Sequence, residues 1–165
     1  MILVQITNKF QGVDVSVGKI KELVKTICHR FGLSKAVISI AILDDAEVRQ
    51  LNRQFLGRDF STDCLSFDLS GGDEPQSTRS FELIVNGELA VKEAQLRGHC
   101  SQAELALYVT HSMLHNLGFD DSTPKQAKKM HDAEDEILRQ FGYGAVYNTS
   151  KRISNPSTAL GAGIE

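Results

Sequence analysis

Apolar and polar positions alternate over residues 2–6 (ILVQI), a period of two that predicts a half-buried strand at the start of the chain. From Val17 to Phe31 the period lengthens: Ile20, Leu23, Val24, Ile27 and Phe31 fall on one helical face, and Gly32 closes the helix. The run AVISIAIL, Ala36 to Leu43, is apolar and β-branched throughout and predicts a central strand. Asp44 or Asp45 can cap a short helix carrying Val48 and Leu51, ending near Gln54. Thr62 to Leu69 predicts a third strand, followed by a polar surface loop, GGDEPQSTRS. A fourth strand is expected at Phe81 to Val85 or at Glu88 to Val91.

Beyond Ser101 the pattern is helical. Ser101 and Glu104 have the spacing of a capping box, and Leu105, Tyr108, Val109, Met113 and Leu117 form a long apolar stripe. Such a helix is expected to lie against the sheet as the central helix. A second helix is predicted from Thr123–Pro124, through Met130, Glu134 and Leu138, to about Phe141, with proline in its first turn. Strands come early and helices late, so the expected class is α+β, a small mixed sheet of about four strands packed with helices. One domain over residues 1–147 is expected, followed by an aperiodic tail, 148–165, rich in Ser, Asn, Gly and Ala and read as disordered.

Composition narrows the function. The 165 residues carry a formal net charge of −3, so any polyanion must meet a local basic patch rather than a general positive field. No apolar run approaches membrane-spanning length, and the N-terminus lacks the basic-then-apolar pattern of a signal peptide. Cys28, Cys64 and Cys100 are odd in number and far apart, which fits a reducing cytoplasm and not a disulfide framework. Cys28 is expected in the core. Cys100, beside His99, is read as a helix-start residue rather than part of a second metal site.

The stretch HSMLHNLGFDD carries the chemistry. His111 and His115 are one helical turn apart on one face, so both imidazoles can reach one ion. Gly118 can take the left-handed conformation that ends the helix and turns Asp120 or Asp121 back toward that face. Two nitrogens and one oxygen leave a fourth tetrahedral position open, as catalytic zinc sites do. A histidine pair at this spacing is weak evidence by itself; the glycine and the carboxylates tip the reading to a divalent metal. Ser112 occupies the place of the glutamate in the HExxH motif, which counts against a peptide hydrolase.

Three blocks together resemble the YbeY family of bacterial metal-dependent endoribonucleases of rRNA maturation. They are LNRQFLGRDFSTDCLSF (51–67), GELAV (87–91), similar to a family strand, and HSMLHNLGFDD with the Met130 to Leu138 helix. The resemblance covers roughly residues 1–143. It implies a mixed sheet with surrounding helices, a metal at the end of the central helix, and three zinc-binding histidines. The first two map onto His111 and His115; the third falls on Asp121, a competent carboxylate ligand that makes the site harder and more anionic. Asp120 matches the family's own aspartate and is read as a residue that supports a ligand from behind or forms the turn.

The family's RNA-contacting arginine falls on Leu56, which cannot hold a phosphate; Arg58, two residues on, is the weak substitute. Asp68 stands where the family has proline, read as a local turn effect. Thr62, Asp63 and Ser66 are read chiefly as structural, His131 as a surface residue, and His29 and His99 as lacking partners by spacing. Arg49, Arg53 and Arg58 form one candidate basic edge, and Lys125, Lys128 and Lys129 another. The resemblance implies a cytoplasmic, single-strand-specific, zinc-dependent endoribonuclease acting on rRNA with the small ribosomal subunit. The competing readings are a metal-stabilised RNA- or ribosome-binding factor with little hydrolysis, and a general metallohydrolase.

Overall fold

The computed structural model describes residues 1–72 and 77–144. The expected boundary at residue 147 and the tail 148–165 lie outside the described residues. The elements run β1 (Ile2–Asn8), α1 (Val17–Arg30), β2 (Ala36–Leu43), α2 (Asp45–Leu56), β3 (Cys64–Asp68), β4 (Arg79–Asn86), α3 (Gly87–Arg97), α4 (Ser101–Asn116) and α5 (Pro124–Gln140). The sheet has the order β1-β2-β4-β3, with β1, β2 and β4 parallel and β3 antiparallel on the edge. This is the expected α+β class.

The alternation along the strands divides the apolar residues between two faces. Val4, Ile38, Ile40, Ile42, Phe81, Leu83 and Val85 join Leu23, Val24 and Ile27 of α1 and the stripe of α4 in the main core. On the opposite face Leu43, Leu65 and Ile84 pack with Val48 of α2, and Leu51, Leu56 and Phe67 close over them. Cys28 is fully buried in the main core, as expected. In α4 every residue from Ala103 to Asn116 is buried, so this helix runs through the middle of the molecule. That burial includes both histidines of the metal motif.

Of the two places expected for the fourth strand, Phe81 to Val85 lies in β4, whereas 87–91, likened to a family strand, opens α3. Asn86 ends β4 and caps α3, its side-chain oxygen accepting from Leu89 N–H at 2.9 Å. Gly87 is required there: a Cβ would come within 2.8 Å of Ile42 and 2.9 Å of Phe10. The expected Ser101–Glu104 capping box is absent. Cys100 is the N-cap, without a side-chain hydrogen bond, and Glu104 is buried in an ion pair with Arg97. A buried carboxylate facing a guanidinium gains more from that pairing than from capping an exposed helix end.

The remaining boundaries agree closely. Asp44 caps α2 by accepting from Glu47 N–H at 2.8 Å, and the helix runs two residues past Gln54 to Leu56. Thr123 caps α5 by accepting from Gln126 N–H, and Pro124 opens the helix.

Candidate metal centre

The last two turns of α4 carry His111 and His115, buried to 4% and 2% exposure. The helix ends at Asn116, and Gly118 takes φ +100°, outside the range open to L-residues, so the chain reverses there. Gly118 N–H and Phe119 N–H donate back to the carbonyls of His115 and Leu114, at 3.1 and 3.0 Å, and satisfy the helix end. This reversal returns Asp121 to the histidines.

Three donor atoms converge. Nε2 of His111 and Nε2 of His115 lie 3.1 Å apart, and Oδ2 of Asp121 lies 3.7 Å from each. Ligands held about 2.0–2.1 Å from a tetrahedral zinc are roughly 3.3–3.4 Å apart, so the spacing suits a single ion. Asp121 Oδ2 is also buried without a hydrogen-bond partner. A buried carboxylate oxygen left unpaired between two imidazoles is costly unless a cation sits there. The donor set therefore fits a divalent metal, and the expected ligands His111, His115 and Asp121 come together.

Asp120 does not join them. It is exposed, and its carboxylate accepts from Ser122 Oγ and from Asp121 N–H, bonds that hold it below the usual carboxylate range. It shapes the turn that presents Asp121.

The sequence reading missed Glu134, at 0% exposure on α5. His111 Nδ1–H donates to Glu134 Oε2, and His131 Nδ1–H donates to Oε1 at 2.6 Å. Burial pushes the Glu134 carboxyl up, but the charge and hydrogen bond of His111, with those of His131, bring it down to about 2. An ionised carboxylate only accepts, so both Nδ1 atoms carry the proton and Nε2 of His111 is left as the ligand atom. Burial also pulls the His111 imidazolium down, yet Glu134, Asp63 and Asp121 outweigh it and hold His111 above the ordinary histidine range.

His111, His131 and Glu134 form a second group able by position to hold a metal. The nitrogen–oxygen separations within it are those of hydrogen bonds, shorter than two ligands on one ion require. This group is read as support for the first. His131 is accordingly not the surface residue expected: its side chain is 12% exposed and its ring stacks on His111 at 6.0 Å. Its position in the second core-facing helix, three residues before Glu134, was the available signal.

Other candidates fall elsewhere. Leu56, half-buried, packs into the apolar cluster on the far face of the sheet. Arg58 is half-buried just past Gly57, its backbone N–H donating to Asn52 O at 3.4 Å. Thr62, Asp63 and Ser66 are buried at the start of β3, and Asn86 clamps that segment, its backbone N–H donating to Asp63 O and its side chain to Thr62 O. Arg49 and Arg53 are exposed on α2. Lys125, Lys128 and Lys129 are exposed on the first turns of α5, directly after the ligand turn. His99 has a partner after all, Glu104 Oε1 at 2.8 Å, whereas Cys100 is exposed and His29 lies on the surface.

Comparison with known proteins gives the family. The family model described as Endoribonuclease YbeY matches residues 5–142. The Endoribonuclease YbeY of Chromobacterium violaceum is 34% identical over 130 residues, covering 76% of this chain and 77% of that protein. That of Wolinella succinogenes is 37% identical over 110 residues, covering 67% and 75%. A Thermotoga maritima protein known from its solution structure shares the fold, with a TM-score of 0.58 at 20% identity over 93% of this chain and all of that one. From the family match and the relatives, the chain belongs to the Endoribonuclease YbeY family.

Proposed function

We propose that this protein is a zinc-dependent endoribonuclease that hydrolyses phosphodiester bonds in single-stranded rRNA, acting in the cytoplasm with the small ribosomal subunit. The observation that carries the reading is Asp121 Oδ2, buried, without a hydrogen-bond partner and equidistant from two histidine nitrogens. Family membership supplies the reaction class and RNA as the substrate. Among the described residues no helix is long and apolar enough to cross a membrane. The catalytic unit is read as one domain over residues 1–147.

His111, His115 and Asp121 would hold the ion through Nε2, Nε2 and Oδ2. When bound, it supplies an acidified water or a polarised phosphate oxygen. Glu134 fixes the tautomer and tilt of His111, and the Gly118 reversal sets the reach of Asp121. RNA is attracted through its phosphates by Lys125, Lys128 and Lys129 beside the ligand turn, with Arg49, Arg53 and Arg58 as a second edge. A single strand is favoured because its unstacked bases are free to turn toward the protein.

The test is elemental analysis of wild type and His115→Ala, paired with cleavage of a single-stranded RNA. About one metal per chain, lost together with cleavage in the variant, is expected. Metal without cleavage in wild type would replace the nuclease with an RNA-binding factor, and no metal after reconstitution would remove the centre.

A further inference from the structure

The sequence offers His131 no role, and the ligand set does not need it, yet it occupies a specific place. It sits on α5 three residues before Glu134 and gives Nδ1–H to the carboxylate oxygen that His111 does not use. We propose that His131 is a positioning residue of the metal centre, acting through Glu134 to fix the tautomer and orientation of His111; this rests on the metal reading above.

Glu134 is wholly buried, so its two oxygens must both find donors inside the protein. One is taken by His111 Nδ1–H and the other by His131 Nδ1–H, and the carboxylate plane is thereby fixed at both ends. A carboxylate held at only one oxygen can rotate about its last bond, and the imidazole it orients tilts with it. The ligand His111 is especially exposed to such a tilt because its Nε2 must stay in register with His115 Nε2, 3.1 Å away, on a ring set at 80° to its own. The near-parallel stacking of His131 on His111, 12° between planes, places the two donors side by side over one carboxylate. The His111–Glu134 bond also joins α5 to α4 at the centre, so helix docking and ligand geometry share that hydrogen bond, and His131 steadies its acceptor from within α5. Supporting groups of this kind commonly change metal affinity by about 10–100-fold.

The experiment compares wild type, His131→Leu and His131→Asn, the last retaining a donor close to the place of Nδ1. Zinc affinity is read by competition with a chromophoric chelator, and the His111 tautomer by nitrogen–proton correlation in the metal-free protein. Expected are a roughly tenfold or greater loss of zinc affinity in His131→Leu, recovery to within about threefold in His131→Asn, and loss of the Nδ1–H preference of His111 only in His131→Leu. Melting temperature is followed in parallel, and equal melting of the two variants with unequal affinity separates positioning from packing. Equal zinc affinity in all three, or equal weakening in both variants, would overturn the proposal. Should the wild type bind no zinc, the metal reading fails; the tautomer measurement still decides the role of His131, an unchanged His111 in His131→Leu overturning it.

Discussion

Nε2 of His111 and Nε2 of His115 face each other at 3.1 Å across rings inclined by 80°. Without a metal, a proton must lie between them, since two bare nitrogen lone pairs repel at that distance. An ion that takes both nitrogens expels that proton. With His111 held above the ordinary histidine range by Glu134, Asp63 and Asp121 against its burial, proton competition extends to higher pH than for a free imidazole. Zinc affinity is therefore expected to rise with pH, roughly tenfold per unit for each proton displaced, and to level off only above the His111 pKa. Chelator competition at pH 6, 7 and 8 reads this; a flat profile contradicts it.

Asp121 sets the charge of the centre. The family histidine at this position would add a neutral, softer donor where this chain places an anion. Asp121→His is expected to keep zinc but to lower the affinity for manganese relative to zinc by about tenfold or more, because oxygen donors suit the harder ion. Asp121→Asn leaves an amide oxygen without charge and is expected to weaken both metals. Competition titrations with the two metals measure the ratio, and an unchanged ratio in Asp121→His would mean that Asp121 is not a ligand.

Gly118 should tolerate no side chain. Space is not the obstacle, for a Cβ there would meet nothing within 4 Å, but φ +100° is unfavourable to any L-residue. Gly118→Ala is expected to cost about 1–2 kcal/mol of stability and to weaken zinc binding as Asp121 moves out of register. Chemical denaturation and zinc titration test the two effects separately, and only the joint loss supports the coupling.

Leu56 bears on whether restoring the family arginine restores anything. Its side chain lies against Leu43, Val48, Leu65 and Ile84, on the face of the sheet opposite α4. Leu56→Arg removes an apolar contact and is expected to lower stability by about 1 kcal/mol, with less than about a threefold change in RNA cleavage. A large gain in cleavage would show that this position reaches the substrate and that the natural site is held back by the leucine.

The strands and the long helices were legible because their apolar residues are large and periodic: Ile38, Ile40 and Ile42 on β2, or Ile20, Leu23, Val24 and Ile27 on α1. Helix α3 was not, although its inward residues keep a helical period. Those residues are Gly87, Ala90, Glu93, Ala94 and Arg97, small or charged, and they leave no hydrophobic stripe to read. Glu104 misled for a related reason. Its spacing from Ser101 is that of a cap, and only the arrival of Arg97 from the preceding helix explains its burial. At the candidate centre the three converging side chains could be read from a local motif, because one helix turn and one glycine place them. Glu134 reaches His111 across two helices, and a tertiary contact of 23 residues' separation leaves no mark in local spacing.

The cysteines give a last, independent check on the architecture. Cys100 is exposed at the start of α4, whereas Cys28 and Cys64 are fully buried. Burial pushes the Cys28 thiol up to about 11, only partly offset by its backbone hydrogen bond. One thiol per chain is expected to react with a thiol-specific reagent at pH 8 in the folded protein, and all three in denaturant. The sign of the linked effect follows: above pH 9 the unfolded chain loses the Cys28 proton while the folded chain keeps it. Its contribution to stability is intact below pH 9 and declines as pH rises toward 11. Cys28→Ala should remove that decline, and denaturant titrations of the two proteins at pH 8 and 10 compare them directly. An equal loss in both would place the alkaline sensitivity in another group.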